Sequence, residues 1–264
     1  MLRGVIIAAA LLLGAGAQAA PRVMSLDQCS DQYVLALSPR EAIVGLSPRV
    51  DDRDSYLAEK AAGLPQRRAT AEAVLGVRPD VVVRYWGGDA RLARTLERRG
   101  VRVVRIDEAT GFADVRANVR RVAQALEQPE AGERIVEQMD ADLAEAKGAW
   151  GGKRALYMTP GGFTAGEGTL VAAILTAAGL KSVAGPGYAP VSLEGLALRP
   201  PAALVLGFFD DFATAMERWG MGRHRVVERL RRERTVGSLP GAIAGCPGWF
   251  AADGALMLAR AAPR

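Results

Sequence analysis

The sequence predicts an α/β fold: two Rossmann-like lobes with parallel sheets, joined by one long interdomain helix. Three observations predict it. Short continuous apolar runs alternate with helical patterns in both halves of the chain, as parallel strands buried on both faces require. Between Ile106 and Ala155 no strand pattern occurs, and the apolar spacing is helical. The two halves also echo each other at an offset of 122 residues, Glu72, Pro79, Val81-Val82-Val83 and Trp86 matching Glu194, Pro201, Ala203-Leu204-Val205 and Phe208. With 264 residues, half of them apolar, the chain can bury the core of two such lobes.

Arg22 to Leu26 reads as the first strand, Asp27 to Ser30 as a loop and cap, and Tyr33 to Leu37 as an apolar helix. Ala42 to Leu46 is a second strand. Ser47 to Thr70 is polar and irregular, and its Asp51, Asp52 and Asp54 lack the spacing of a calcium loop and read as solvated. A helix from Glu72 to Gly76, the turn Arg78-Pro79-Asp80 and the strand Val81 to Val83 form a clean unit that ends in Arg84-Tyr85-Trp86-Gly87-Gly88. A helix from Asp89 to Arg99 stops at Gly100, and Val101 to Ile106 is the next strand. Helices follow from Phe112 to Glu127 and, after Pro129, from Glu130 to Lys147, the latter with an apolar stripe from Ile135 to Ala146. No Pro or Gly lies between Glu133 and Lys147, so this connector predicts lobe motion of a few degrees. Ala155 to Met158 is a strand, Gly161 to Gly168 a glycine-rich loop, and Thr169 to Ala178 and Leu193 to Leu198 are helices. Ala203 to Leu206 is a strand ending in Phe208-Phe209-Asp210-Asp211, and Arg223 to Arg234 reads as a basic helix.

Residues 1–19 carry one cation, an apolar stretch from Val5 to about Leu13 and a small-residue ending Ala17-Gln18-Ala19, the pattern of a signal peptide. The apolar stretch is too short to span a bilayer, and no later stretch could. The expected division is therefore signal peptide 1–19, N-terminal lobe 20–111, helical connector 112–150 and C-terminal lobe 151–264, in an exported, soluble protein. Export permits a disulfide between Cys29 and Cys246, and two buried thiols are the other reading.

Several functions are disfavoured. The formal charge is +5, but acidic residues interleave with the basic ones, so no nucleic-acid partner is expected. The glycine-rich loop lacks both Gly-Lys-Ser/Thr and Gly-x-Gly-x-x-Gly, which argues against a nucleotide. One histidine, His224, disfavours a metal site, and no cofactor is expected. The alternative function is an exported hydrolase using Cys29 as nucleophile with His224. Aromatics mark the strand ends instead: Tyr85, Trp86, Phe163, Phe208, Phe209 and Trp249, with Arg84 and Asp210 beside them. In parallel sheets the strand C-termini line the ligand crevice, so these residues predict a large flat apolar site with a few polar handles.

Over essentially the whole mature chain the sequence resembles the class III substrate-binding proteins of ABC importers, which carry vitamin B12, ferric siderophores and heme. The likeness rests on Arg22 to Leu26 with the Cys29 turn, on Glu72 to Val83, on Trp86-Gly87-Gly88, on the mid-chain helix and on Gly166 to Leu170. It implies two α/β lobes bridged by one helix, with a metal-chelate ligand (cobalamin, ferric siderophore or heme) held between them by a monomer that does no chemistry. It implies that the first strand–helix loop, with Asp27 and Cys29, faces the cleft. It also implies that Glu72 and Glu194, one on each lobe, dock on arginines of the permease subunits.

Overall fold

A computed structural model describes residues 20–208 and 221–263, so the predicted signal peptide lies outside the described residues. β1 (Val23–Ser25), β2 (Ile43–Gly45), β3 (Val81–Arg84) and β4 (Arg102–Arg105) form a parallel sheet in the order β2-β1-β3-β4. In the second half, β5 (Lys153–Met158) is followed by β6 (Phe163–Ala165), β7 (Leu180–Ser182), β8 (Tyr188–Pro190), β9 (Ala203–Gly207) and β10 (Thr235–Leu239). Four of these build a second parallel sheet, β7-β5-β9-β10, while β6 and β8 form a separate antiparallel hairpin. Numbered within its own lobe, each sheet has the strand order 2-1-3-4. The sequence echo superimposes β3 on β9, the third strand of each lobe, so it reports a real architectural repeat.

The central strands are buried on both faces, which is why they are continuous runs of Val and Leu. Val81 and Val83 join one apolar cluster and Val82 another on the opposite face, with Met24 beside it. Helices cover both sides. α1 (Gln28–Leu37) follows β1, α2 (Ala71–Gly76) precedes β3, and α3 (Ala90–Arg98) precedes β4. α1 starts five residues earlier than the sequence reading placed it, because Asp27 and Ser30 close a reciprocal cap: Asp27 accepts from the Ser30 amide and the Ser30 hydroxyl accepts from the Asp27 amide. Cys29 therefore sits in the first turn of a helix and not in a loop.

α4 (Phe112–Ala125) and α5 (Pro129–Ala146) are the connector, and α6 (Leu170–Ala177), α7 (Leu193–Leu198), α8 (Arg225–Arg234), α9 (Gly241–Ala244) and α10 (Ala251–Arg260) belong to the second half. α5 packs on α4 on one side and on α10 on the other, so it does bridge the two sheets. A Cβ at Gly132 would stand 2.5 Å from that of Ala123, so only glycine lets α5 settle onto α4 at that crossing. One apolar cluster runs from Val23 and Val81 through Val136 and Met139 of α5 to Val205 and Leu258. Among the described residues no helix is long and apolar enough to cross a membrane.

The sequence reading had the helix as the one evident connection between lobes, and the structure adds a second. Cys29 on α1 is disulfide-bonded to Cys246, 217 residues later. The Tyr33 hydroxyl donates to the Pro247 carbonyl, and Trp249 meets the Tyr33 ring edge-on at 5.3 Å. Phe250 stacks on Tyr56 at 4.5 Å, and the Tyr56 hydroxyl donates to Asp253 at 2.6 Å. The segment 245–253 is thus stitched to the N-terminal lobe by one covalent bond, two hydrogen bonds and two ring contacts.

Beneath the first sheet end lies Asp31, fully buried on α1. Its carboxylate accepts from the hydroxyls of Ser25 and Ser47 and from the Ser47 amide at 2.8 Å. Burial outweighs these bonds and pushes its pKa from 3.8 up to about 6. A raised folded pKa means that the native state holds this proton more tightly than the unfolded chain does. The resulting stability is fully present below pH 3.8 and is lost as the pH rises through about 6. Asp31→Asn keeps an acceptor for Ser25 and an N–H for Ser47 but cannot ionise. Urea unfolding at pH 4 and pH 7 should show the variant gaining up to about 3 kcal/mol on the wild type as the pH rises. A constant difference between the two proteins would refute it.

Candidate functional site

The loops after β3 and β4 of the first sheet border an inter-lobe cleft, which α6, β8 and segment 244–247 border from the second half. In a 2-1-3-4 sheet the chain reverses direction between the first and third strands, and the loops leaving those two strands part to leave a crevice. In the first lobe these are the loops after β1 and β3, and Asp27 ties them together. One Asp27 oxygen accepts from Ser30, and the other accepts from the amides of Tyr85 at 2.7 Å and Gly87 at 2.8 Å. A Cβ at Gly87 would lie 2.3 Å from the Leu26 carbonyl oxygen, so glycine is required where the loops cross. Asp27 is 1% exposed with both oxygens committed. It braces the crevice wall instead of meeting a ligand directly. Arg84 donates from one guanidinium nitrogen to the Gly88 carbonyl at 2.7 Å, folding the Trp86-Gly87-Gly88 loop back on itself, while its buried Nε has no partner.

What the brace holds out is Tyr85. Its hydroxyl donates to Glu108, which follows β4, and both line a cavity of about 130 Å³ between the lobes. Across that cavity stand Val171 of α6 and Tyr188 of β8, and the Cys246-Pro247 segment forms its floor. Burial, and then the negative charge of Glu108, raise the phenol pKa values of both Tyr85 and Tyr188. Two phenols and one carboxyl group, contributed by both lobes, therefore line one small cavity.

Around it lies exposed aromatic surface. Trp86 and Phe163 are each 52% exposed and Tyr188 66%, values far above those of ordinary core aromatics. In the hairpin Ala165 faces Tyr188 and Phe163 faces Pro190 across the ladder, so Phe163 and Tyr188 project from one face of it. Phe208, immediately after β9, is held at φ 61° while its amide donates to Leu239 at 3.1 Å. A bulky residue in this region is strained, and such strain concentrates at ligand sites. Phe209 and Asp210 lie outside the described residues. Trp249 packs on Tyr33 and Phe250 and is part of the stitch between lobes.

The structure removes the hydrolase alternative. Cys29 has no thiol to ionise, since its sulfur is bonded to Cys246. His224 caps α8, its ring nitrogen accepting from the Val226 amide. Neither cysteine lines the site as a free thiol. Asp52 and Asp54 are paired with Arg49, at 2.7 and 3.5 Å, and Asp54 also accepts from Gln28. Among the described residues there is no cluster of three His, Cys, Asp or Glu side chains able to hold a metal ion.

Glu72 and Glu194 occupy equivalent places. Each is the second residue of a six-residue helix, α2 or α7, capped by the hydroxyl of Thr70 or Ser192. Both are exposed. A helix linking parallel strands runs back across its sheet, so its first turn stands on the side of the strand C-termini, where the cleft opens. Sequence reasoning missed Glu108 and Tyr188. Glu108 follows a strand end and the crevice rule could have found it, whereas Tyr188 sits on a strand that the sequence did not reveal.

A family model described as periplasmic binding protein matches residues 23–245. No curated protein matches the chain. The periplasmic heme-binding protein RhuT from Roseiflexus sp. RS-1, in apo form, has a similar structure: TM-score 0.72, 21% identity, 92% of this chain and 98% of that one covered. A periplasmic heme-binding protein from Pseudomonas aeruginosa gives a TM-score of 0.68 at 24% identity, covering 92% and 93%. The periplasmic vitamin B12-binding protein BtuF of Vibrio cholerae gives 0.64 at 15% identity, covering 92% and 96%. At these identities the likeness speaks for the fold and leaves the ligand to the site.

Proposed function

The chain belongs to the periplasmic binding protein family, and from that premise we propose that it captures a metal chelate in the inter-lobe cleft and delivers it to an ABC importer. The reading includes export to the periplasm by the signal peptide 1–19, action as a monomer, and docking of Glu72 and Glu194 on arginines of the permease subunits. Such a protein binds its cargo without transforming it.

The observation that carries the ligand class is that Tyr85, Tyr188 and Glu108 line one inter-lobe cavity, with exposed Trp86 next to Tyr85 in the chain and exposed Phe163 on the hairpin face of Tyr188. A cavity of 130 Å³ is too small to enclose a whole chelate. It suits the metal-bearing centre of a flat ligand whose periphery rests on the aromatic rim. Phenol and carboxyl oxygens match ferric iron, and tyrosine is an established heme-iron ligand. Cobalt prefers nitrogen donors, and the one histidine is spent as a helix cap. A ferric chelate, with heme first, is therefore favoured over cobalamin.

Titrations with hemin, a ferric hydroxamate and cyanocobalamin, followed by absorbance and calorimetry, test this. Hemin should bind at micromolar concentration or tighter, and Trp86→Ala should weaken it about tenfold through lost stacking. Tyr85→Phe should shift the hemin absorption bands as the oxygen donor is removed. Failure of all three ligands to bind at micromolar concentration would end the metal-chelate reading.

A further inference from the structure

On the far side of the β6–β8 hairpin from the cleft is a second recess, of about 330 Å³. It lies between that hairpin, the face of the second sheet that carries Leu156, and α7. Strand alternation that turns Phe163 toward the cleft turns Thr164 into this recess. Thr164 is 6% exposed, and its hydroxyl oxygen is buried without a hydrogen-bond partner. A buried hydroxyl left unpaired forfeits its hydration without return, so a partner for it is expected.

The charges around it point the same way. Arg154, near the start of β5, and Arg199, just after α7, both line the recess. Neither guanidinium has a hydrogen bond or ion pair among the described residues, although most surface arginines of the connector do. No carboxylate is among the lining residues, and the remaining wall is largely apolar, formed by Leu156, Val191 and Leu196. Both arginines are exposed where they border the recess, and two like charges on one cavity favour an anion between them.

We propose that this recess binds a phosphate group, held between the Arg154 and Arg199 guanidiniums and capped by the Thr164 hydroxyl. Guanidinium forks match tetrahedral oxyanions in charge and geometry, and two of them with one hydroxyl offer enough charge and donors for a phosphomonoester dianion or a phosphodiester monoanion. The apolar wall leaves room for a small organic substituent, which favours a phosphoester over bare phosphate. The shared chemistry allows two sources, a soluble glycerol phosphate or the headgroup of an anionic phospholipid. Thr164, the buried hairpin residue that would cap the group, faces away from the ligand cleft.

The test uses the mature protein in low-salt buffer at pH 7. Calorimetry with sn-glycerol 3-phosphate forms one arm, and co-sedimentation with phosphatidylglycerol or phosphatidylcholine vesicles the other. Saturable binding is expected in at least one arm, weakened about tenfold by Thr164→Val and at least thirtyfold by Arg154→Gln with Arg199→Gln. Binding in the first arm identifies a soluble phosphoester, and binding confined to phosphatidylglycerol vesicles identifies a lipid headgroup. Arg229→Gln with Arg232→Gln on α8 removes the same charge from a neighbouring helix and should change affinity less than twofold. The proposal falls if neither arm shows saturable binding, or if the α8 pair costs as much as the recess pair. Circular dichroism of Thr164→Val and hemin affinity of each variant separate loss of this site from loss of fold or of the cleft.

Discussion

Replacing Cys246 by Ser should lower the stability of the oxidised protein by about 5 kcal/mol. The bond closes a loop of 217 residues, and chain-entropy arithmetic for so long a loop gives a value near that ceiling. For a domain pair of this size it corresponds to a fall in Tm of roughly 10–20 °C. Native packing around the bond is good enough for the loss to appear as stability. Cys29 is buried in the first turn of α1, and the neighbouring Tyr33–Pro247, Tyr33–Trp249 and Tyr56–Phe250 contacts hold the same segment without it. The same contacts should let the variant fold, so that denaturant unfolding can measure the difference. Cys29→Ala with Cys246→Ala should lose no more than the single substitution, because either one removes the same crosslink. A change below about 1 kcal/mol would mean that the rings and hydrogen bonds fix the segment by themselves and that the disulfide is redundant.

Charge reversal at both docking positions, Glu72→Arg with Glu194→Arg, should reduce ligand uptake at least a hundredfold and leave ligand affinity unchanged. The first half of that expectation rests on like charges placed against permease arginines, which costs several kcal/mol at an interface. The second rests on position. Both residues are exposed on the first turns of α2 and α7, and neither lines the inter-lobe cavity. Glu97→Arg, an exposed reversal on α3 in the same lobe as Glu72, supplies the control and should transport normally. Uptake by cells carrying each variant, with titration of the purified proteins, decides it. Wild-type transport by the double variant would remove both glutamates from the docking surface.

The strand-ends rule picks out residues by their place in the chain and not by where their side chains go. Tyr85 and Trp86 follow β3 and Phe163 opens β6, with Trp86 and Phe163 exposed, whereas Asp27 and Arg84 are bonded to backbone of the neighbouring loops. An aspartate that can satisfy three amides across two loops is more stable buried and bonded than facing a ligand, and nothing in its one-dimensional context records those amides. The β6–β8 hairpin was illegible because glycines flank it and Pro190 closes it, which reads as a loop. β10 was hidden because it begins at Thr235, directly after α8 ends at Arg234, with no turn residue between them.

The sequence by itself determined the local and periodic features: strands buried on both faces, the connector helix, and the two-lobe repeat carried by the 122-residue echo. These follow from composition at fixed short spacing, which a chain carries whatever its tertiary contacts. Only the tertiary structure decided whether Cys29 and Cys246 would pair, that segment 245–253 would cross to the first lobe, and that Glu108 and Tyr188 would meet Tyr85. Each of these joins residues far apart in the chain, brought together when the shared core around α5 closes the two sheets onto each other. The free energy that selects such a pairing is the burial of the whole core, and no single residue's neighbours along the chain encode it.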